Sequence, residues 1–167
     1  MIFGLFGKKN SNAAIVARQY DLLTAAARRP YLYTDLGVPD TVMGRFEMLS
    51  ATLILYFRRT RSSGRAGQEI AQEIIDAFFE DVDHSIRELG VGDVSVPKKM
   101  KKFASMFYGR LESYAAALKR NFHPQTDDPA LSMDGLASYM LRAEAQLAEV
   151  GEDVVETGRI DLADAAA

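Results

Sequence analysis

The stretch Glu69-Ile70-Ala71-Gln72-Glu73-Ile74-Ile75-Asp76-Ala77-Phe78-Phe79-Glu80-Asp81-Val82-Asp83-His84-Ser85-Ile86-Arg87-Glu88-Leu89 decides the fold class. Ile70, Ile74, Phe78, Val82, Ile86 and Leu89 recur at steps of three and four residues, which lines them along one face of an α-helix. Glu69, Glu73, Asp76, Glu80, Asp83 and Arg87 recur at the same steps on the other side, so an acidic ridge faces water or a partner. Gly90 then stops the helix, because glycine suits the positive φ of a C′ position. In the link that follows, Ser95 is a cap for the next helix and Pro97 suits its first turn. That helix opens with Lys98, Lys99, Lys101 and Lys102 and carries Met100, Phe103, Phe107, Leu111, Tyr114 and Leu118 as its core stripe. An acidic ridge and a basic turn are therefore predicted on neighbouring helices.

Working outward, Ala13 to Arg29 reads as a helix with Ile15, Val16, Tyr20, Leu23 and Ala27 inward, ended by Pro30. Tyr31 to Pro39 reads as an aromatic connector, after which Asp40 or Thr41 caps a helix running to about Thr60. Its centre, Leu49 to Phe57, is apolar nearly all round, the pattern of a buried central helix. Arg58, Arg59, Arg61 and Arg65 surround a Ser-Ser-Gly turn, where dipole compensation and solubility are the simplest roles. Asn121 to Pro129 is a loop, and Leu131 to Val150 a last amphipathic helix through Leu136, Met140, Leu147 and Val150. Residues 151–167 form an acidic, Ala-rich tail with few apolar residues, open to a short return helix, a strand or disorder. Strand-type alternation is not sustained anywhere. The expected fold is all-α: a single-domain bundle of five to six helices over residues 13–150, between an N-terminal segment 1–12 and the tail.

A chain of 167 residues is long enough for one core, since folding at that size buries roughly 70% of the surface of the unfolded chain. The net charge of -3 and charged share of 26% are ordinary for a globular domain and do not announce a nucleic-acid binder, so no specific DNA binding is expected. With no cysteine, disulfides, thiolate chemistry and the usual cysteine-based zinc motifs are excluded, which suits a cytoplasmic location. The N-terminal Met1 to Lys9 is too short for a membrane span, which needs about 20 apolar residues. A loosely docked terminus is the simpler reading of it. The sharper one is an interfacial anchor, with Phe3, Leu5 and Phe6 in lipid and Lys8 and Lys9 at headgroups, placing the chain peripherally at the inner face of the cytoplasmic membrane.

Catalytic groups are hard to find. Glu80 and His84 share a helix face, and Asp81 precedes His84 by three, a spacing used in helical di-metal sites; but His123, the only other histidine, has no carboxylate at matching spacing. No HExxH, Gly-x-Ser-x-Gly or phosphate-binding glycine signature occurs. Neither an enzyme, a metal site nor a cofactor is expected. Gly109 in Phe107-Tyr108-Gly109-Arg110 costs about 1 kcal/mol relative to alanine within a helix, which calls for close helix packing or a partner at that backbone. The four lysines of 98–102 oppose the dipole of the helix they open. Internal acidic neighbours and an external acidic partner, RNA or membrane surface account for them equally well.

The run Phe78 to Lys101, from Phe78-Phe79-Glu80-Asp81-Val82-Asp83-His84 through Gly90-Val91-Gly92-Asp93-Val94-Ser95-Val96-Pro97-Lys98-Lys99, resembles the signature of the ubiquinol-cytochrome c chaperone family, and Phe107-Tyr108-Gly109-Arg110 continues the match. Weaker similarity extends from about Tyr20 to Leu118. The resemblance implies a non-enzymatic helical assembly factor for the respiratory cytochrome bc1 complex, whose mitochondrial members act with a small accessory protein near the ribosome and hold newly made cytochrome b. The chain has no Arg-rich, acid-poor targeting segment, and its central helix lacks the tryptophan and histidine associated with mitochondrial members, so a bacterial-type relative fits better. On this reading Glu80, Asp83, His84, Arg87, Asp93, Lys98, Lys99, Lys101, Lys102, Tyr108 and Arg110 are candidate partner-binding residues for cytochrome b or bc1 assembly intermediates. The alternative is an RNA- or ribosome-associated helical protein coupled to membrane-protein synthesis.

Overall fold

The computed structural model describes residues 4–88, 101 and 133–162, and every regular element longer than a turn among them is helical. The first helix, α1, spans Gly4–Ala27, so it begins well before the expected Ala13. Pro30 does not merely end it. The connector contains a short helix, α2, at Pro30–Thr34, with Pro30 in its opening turn; the locked φ of proline suits that place, and its missing N–H would have had no helical partner there. Tyr33 fastens this turn by donating its hydroxyl to the Ala27 carbonyl at 2.8 Å. The long helices α3 and α4 follow at Val42–Thr60 and Arg65–Glu88, then α5 at Asp134–Ala148 and a one-turn α6 at Glu152–Glu156.

Packing follows from α3. Every residue from Met48 to Tyr56 is buried, whichever way it points, so the central-helix expectation holds. α1 and α5 pack on it directly, and α4 packs on both α1 and α3. The predicted stripe of α4 turns inward, with Ile70, Ile74, Phe78 and Val82 buried; the side chain of Ile86, and Leu89, lie outside the described residues. Polar ties cross from α1 to α4: Asn12 Nδ2 donates to Glu73 Oε1 at 3.3 Å and the Tyr20 hydroxyl to Asp81 Oδ2 at 3.0 Å.

The segment after α5 returns to this core. Of the courses open to the acidic tail, Glu152–Glu156 takes the return helix, and Val155, Ile160 and Leu162 are buried. The wholly buried Gln19 of α1 fixes the extended piece that follows. Its Nε2 donates to the Ile160 carbonyl at 2.9 Å, and its Oε1 accepts from the Ile160 N–H at 2.8 Å. One primary amide thus satisfies both polar groups of one buried peptide residue, as a neighbouring strand would. Gly158 makes the approach feasible: its φ is +62°, and a Cβ there would lie 2.5 Å from the Ile15 carbonyl oxygen.

The arginine cluster that begins in the last turn of α3 corrects the simple solubility reading. The Arg59 side chain is only 11% exposed and donates to the Val150 carbonyl at 2.6 Å, Ser63 Oγ at 3.1 Å and Glu152 Oε1 at 2.8 Å. Glu152 also accepts from Ser63 Oγ and from the N–H of Gly64, just ahead of α4, so a carboxylate meets the positive end of that helix. The hydrogen bond from Arg59, reinforced by those from Gly64 and Ser63, holds the Glu152 carboxyl below its ordinary range although partial desolvation works the other way.

Gln19→Leu keeps the bulk and strands the two polar groups of Ile160, so it should lower stability by about 2–4 kcal/mol. A urea transition with an unchanged midpoint would contradict the latch. Because the folded-state pKa of Glu152 is depressed, the stability it contributes is fully present above the ordinary carboxylate range and is lost as pH falls through the folded value. The urea midpoints of the parent and Glu152→Gln should therefore differ at neutral pH, converge in acid, and differ less at high salt.

Candidate interaction surface

Wrapping of α3 is complete at its middle and stops at its first turn. Thr41 caps that turn, its Oγ1 accepting from the Gly44 N–H at 3.0 Å, and extended backbone at Thr41 brings the chain in from the side. A Cβ on Gly44 would run into the Pro39 carbonyl, so only glycine lets the Pro39-Asp40-Thr41 approach lie flat on the helix. Arg45 closes the loop by donating to Asp40 at 2.7 Å, and this bond holds the Asp40 carboxyl below its usual range. The consequence is a braced turn that holds two apolar side chains outward: Val42 is 63% and Met43 44% exposed.

Between this turn and α4 lies a groove of about 200 Å³, lined on the apolar side by Val42, Met43, Phe46, Leu49, Phe78 and Val82. Phe46 and Phe78 stack with ring centroids 5.9 Å apart and planes at 21°. Arg28, Arg45, Asp81 and Ser85 supply its polar edge. Burial, with the charge and hydrogen bond of Asp81, pushes the Tyr20 phenol far up, so Tyr20 stays a neutral donor to Asp81. Arg45 is held by Asp40. Arg28, at the end of α1 and exposed, has no ion-pair partner among the described residues.

The sequence-predicted candidates lie elsewhere on α4. Glu80, His84 and Arg87 are exposed and Asp83 half-buried, at helical positions opposite the Phe78–Val82 face that lines the groove. Arg87 and Asp83 pair at 2.7 Å, and His84 Nε2 lies 3.3 Å from Glu88 Oε1. Among the described residues no group of three or more His, Asp or Glu side chains is placed to hold a metal. Lys101 is exposed. Asp93, Lys98, Lys99, Lys102, Tyr108, Gly109 and Arg110, like Phe3 and the side chains of Leu5 and Phe6, lie outside the described residues.

The groove was missed in the sequence because Val42 and Met43, directly after a cap, read like any first-turn residues. A second hollow of about 440 Å³, lined by Arg58, Arg59, Ser62, Glu144 and Glu152, is structural in character. Its cations are committed, Arg58 to Glu144 at 2.6 Å and Arg59 to Glu152 at 2.8 Å. Among the described residues no helix is long and apolar enough to cross a membrane.

Comparison with known proteins meets this geometry with one family. Residues 34–163 match the model of the ubiquinol-cytochrome C chaperone family, reaching further toward the C-terminus than the resemblance over Tyr20 to Leu118. The ubiquinol-cytochrome-c reductase complex assembly factor 1 of Xenopus laevis is 28% identical over 142 residues, covering 77% of this chain and 70% of its own. The Mus musculus protein of that name is 26% identical over 135 residues, covering 74% of this chain, which spans less than half (46%) of the mouse protein. The crystal structure of the Cbp3 homolog from Brucella abortus superposes with a TM-score of 0.84 at 42% identity, over 99% of this chain and 98% of that one. Matched over most of its length by the family model and over nearly all of it by that structure, the chain belongs to the ubiquinol-cytochrome c chaperone family, whose members assemble the bc1 complex and which is not an enzyme class.

Proposed function

We propose that this protein holds newly made cytochrome b during its assembly into the bc1 complex. The observation that carries the reading is the groove beside the first turn of α3, where Val42 and Met43 remain exposed on a braced scaffold. Scattered single apolar residues on a surface need no explanation, but apolar side chains gathered about a concave, aromatic-floored groove mark an interaction site. A holdase needs such a surface and no reacting groups. Cytochrome b, as a membrane subunit, offers the apolar segments that the groove would accept before they are packed.

A second proposed contact, on the side of α4 away from the groove, comprises Glu80, Asp83, His84 and Arg87, with Asp93, the lysines at 98, 99, 101 and 102, Tyr108 and Arg110 from the sequence that follows. They would set orientation and association rate, while the apolar groove supplies most of the affinity. A position at the inner face of the cytoplasmic membrane would bring this surface to its client.

Affinity purification of the tagged protein from gently solubilised cells, followed by mass spectrometry and a haem spectrum, should recover cytochrome b. Reversal of Lys98, Lys99, Lys101 and Lys102 to Glu should reduce that recovery severalfold while leaving the helical circular dichroism nearly unchanged. Equal recovery with a folded reversal variant would remove the basic turn from the contact. Ribosomes or RNA recovered without cytochrome b would replace the client reading with the translation-linked one.

A further inference from the structure

We infer that the groove between the first turn of α3 and the second half of α4 seats an amphipathic helix of a partner protein, anchored by apolar side chains one turn apart and carrying a carboxylate that pairs with Arg28. This deepens the chaperone reading and rests on it for the partner's biological role. Three observations select the occupant. The volume, about 200 Å³, lies below the roughly 300–1,000 Å³ of sites that enclose small ligands. It admits side chains rather than a cofactor. The walls form a hollow whose floor is the Phe46–Phe78 stack, the shape that receives knobs from a helix laid along it.

Charge completes the selection. Among the described residues the lining holds two arginines and one aspartate. Arg45 is committed to Asp40, whereas Asp81 accepts from the neutral Tyr20 hydroxyl and keeps its own charge. Arg28 is the cation at the rim without an ion-pair partner among the described residues, and it lies near enough to Tyr20 and Tyr33 to act on both phenols. A carboxylate beside the apolar anchors would meet it at the edge of a partly desolvated surface, where charge complementarity fixes register.

The test is selection of helical peptides, displayed with randomised faces, against the full-length protein. Enriched sequences should share apolar residues three or four apart and an acidic residue flanking them. Their binding should fall about tenfold or more with Val42→Ser plus Met43→Ser. It should fall severalfold with Arg28→Glu and return when the peptide's acid is changed to Lys. Both variants alter exposed side chains, and unchanged urea transitions would show that folding is not the cause. Failure to enrich, equal binding to the Val42/Met43 variant, or indifference to Arg28→Glu would each overturn the inference. So would Val42/Met43-dependent binding to phosphatidylglycerol–phosphatidylethanolamine vesicles without peptide binding, which would make the groove a lipid contact. Complementation separates this inference from the reading beneath it. Normal cytochrome b content in cells lacking the protein would remove the bc1 role and leave the groove's peptide specificity standing. Lowered content restored equally by the parent and both variants would keep the role and remove the groove from it.

Discussion

A helix that is apolar around its whole circumference must be covered on every side, and α3 imposes that demand on the rest of the chain. From Met48 to Tyr56 every residue is buried, so α1, α4 and α5 are arranged around it or against one another. One consequence is the shape of the C-terminal return. α6 and the extended piece after it lie on the outside of the bundle, yet Val155, Ile160 and Leu162 are buried because they close the shell. Extended chain brought into a helical protein carries peptide groups that no helix satisfies. The Gln19 amide answers for Ile160, the Arg29 guanidinium donates to the Leu162 carbonyl at 3.3 Å, and Arg59 answers for Val150.

The same demand explains where the surface is left incomplete. Coverage of α3 is needed along its apolar middle, not at a first turn held by its own cap and the Asp40–Arg45 bond. Stability there comes from local hydrogen bonding. The side chains of Val42 and Met43 are therefore not required for the core and are free to serve recognition. The hollow beside them runs into the Phe46–Phe78 stack, so a partner docking there would extend the core rather than build a separate one. On the far side of α4, internal pairs such as Asp83–Arg87 leave a polar ridge suited to orientation more than to affinity.

Periodic features were legible in the sequence. The stripe of α4, the all-round apolarity of α3, the Thr41 cap and the all-α class all follow from spacing or local chemistry, and the central phrase Phe78 to Lys101 pointed to the family that the comparisons identify. What escaped reading was of two kinds. Pro30 both breaks one helix and starts another, and the bare sequence favours the more familiar role, which hid α2. Long-range polar contacts leave no period at all. Gln19 and Ile160 are 141 residues apart, and Arg59, in a cluster whose simplest role is solubility, becomes a buried junction only through partners about 90 residues further along. The groove belongs to this second kind, since exposure of Val42 and Met43 depends on what fails to cover them.

The most direct measurement is photocrosslinking in living cells from an unnatural amino acid at position 43, on the groove, with position 145, on the exposed face of α5, as the control. The account predicts a crosslink to cytochrome b from position 43 during active synthesis of the bc1 complex, and none from position 145. Crosslinks to cytochrome b from position 145 alone, or none from either under conditions where the protein is needed for assembly, would contradict it.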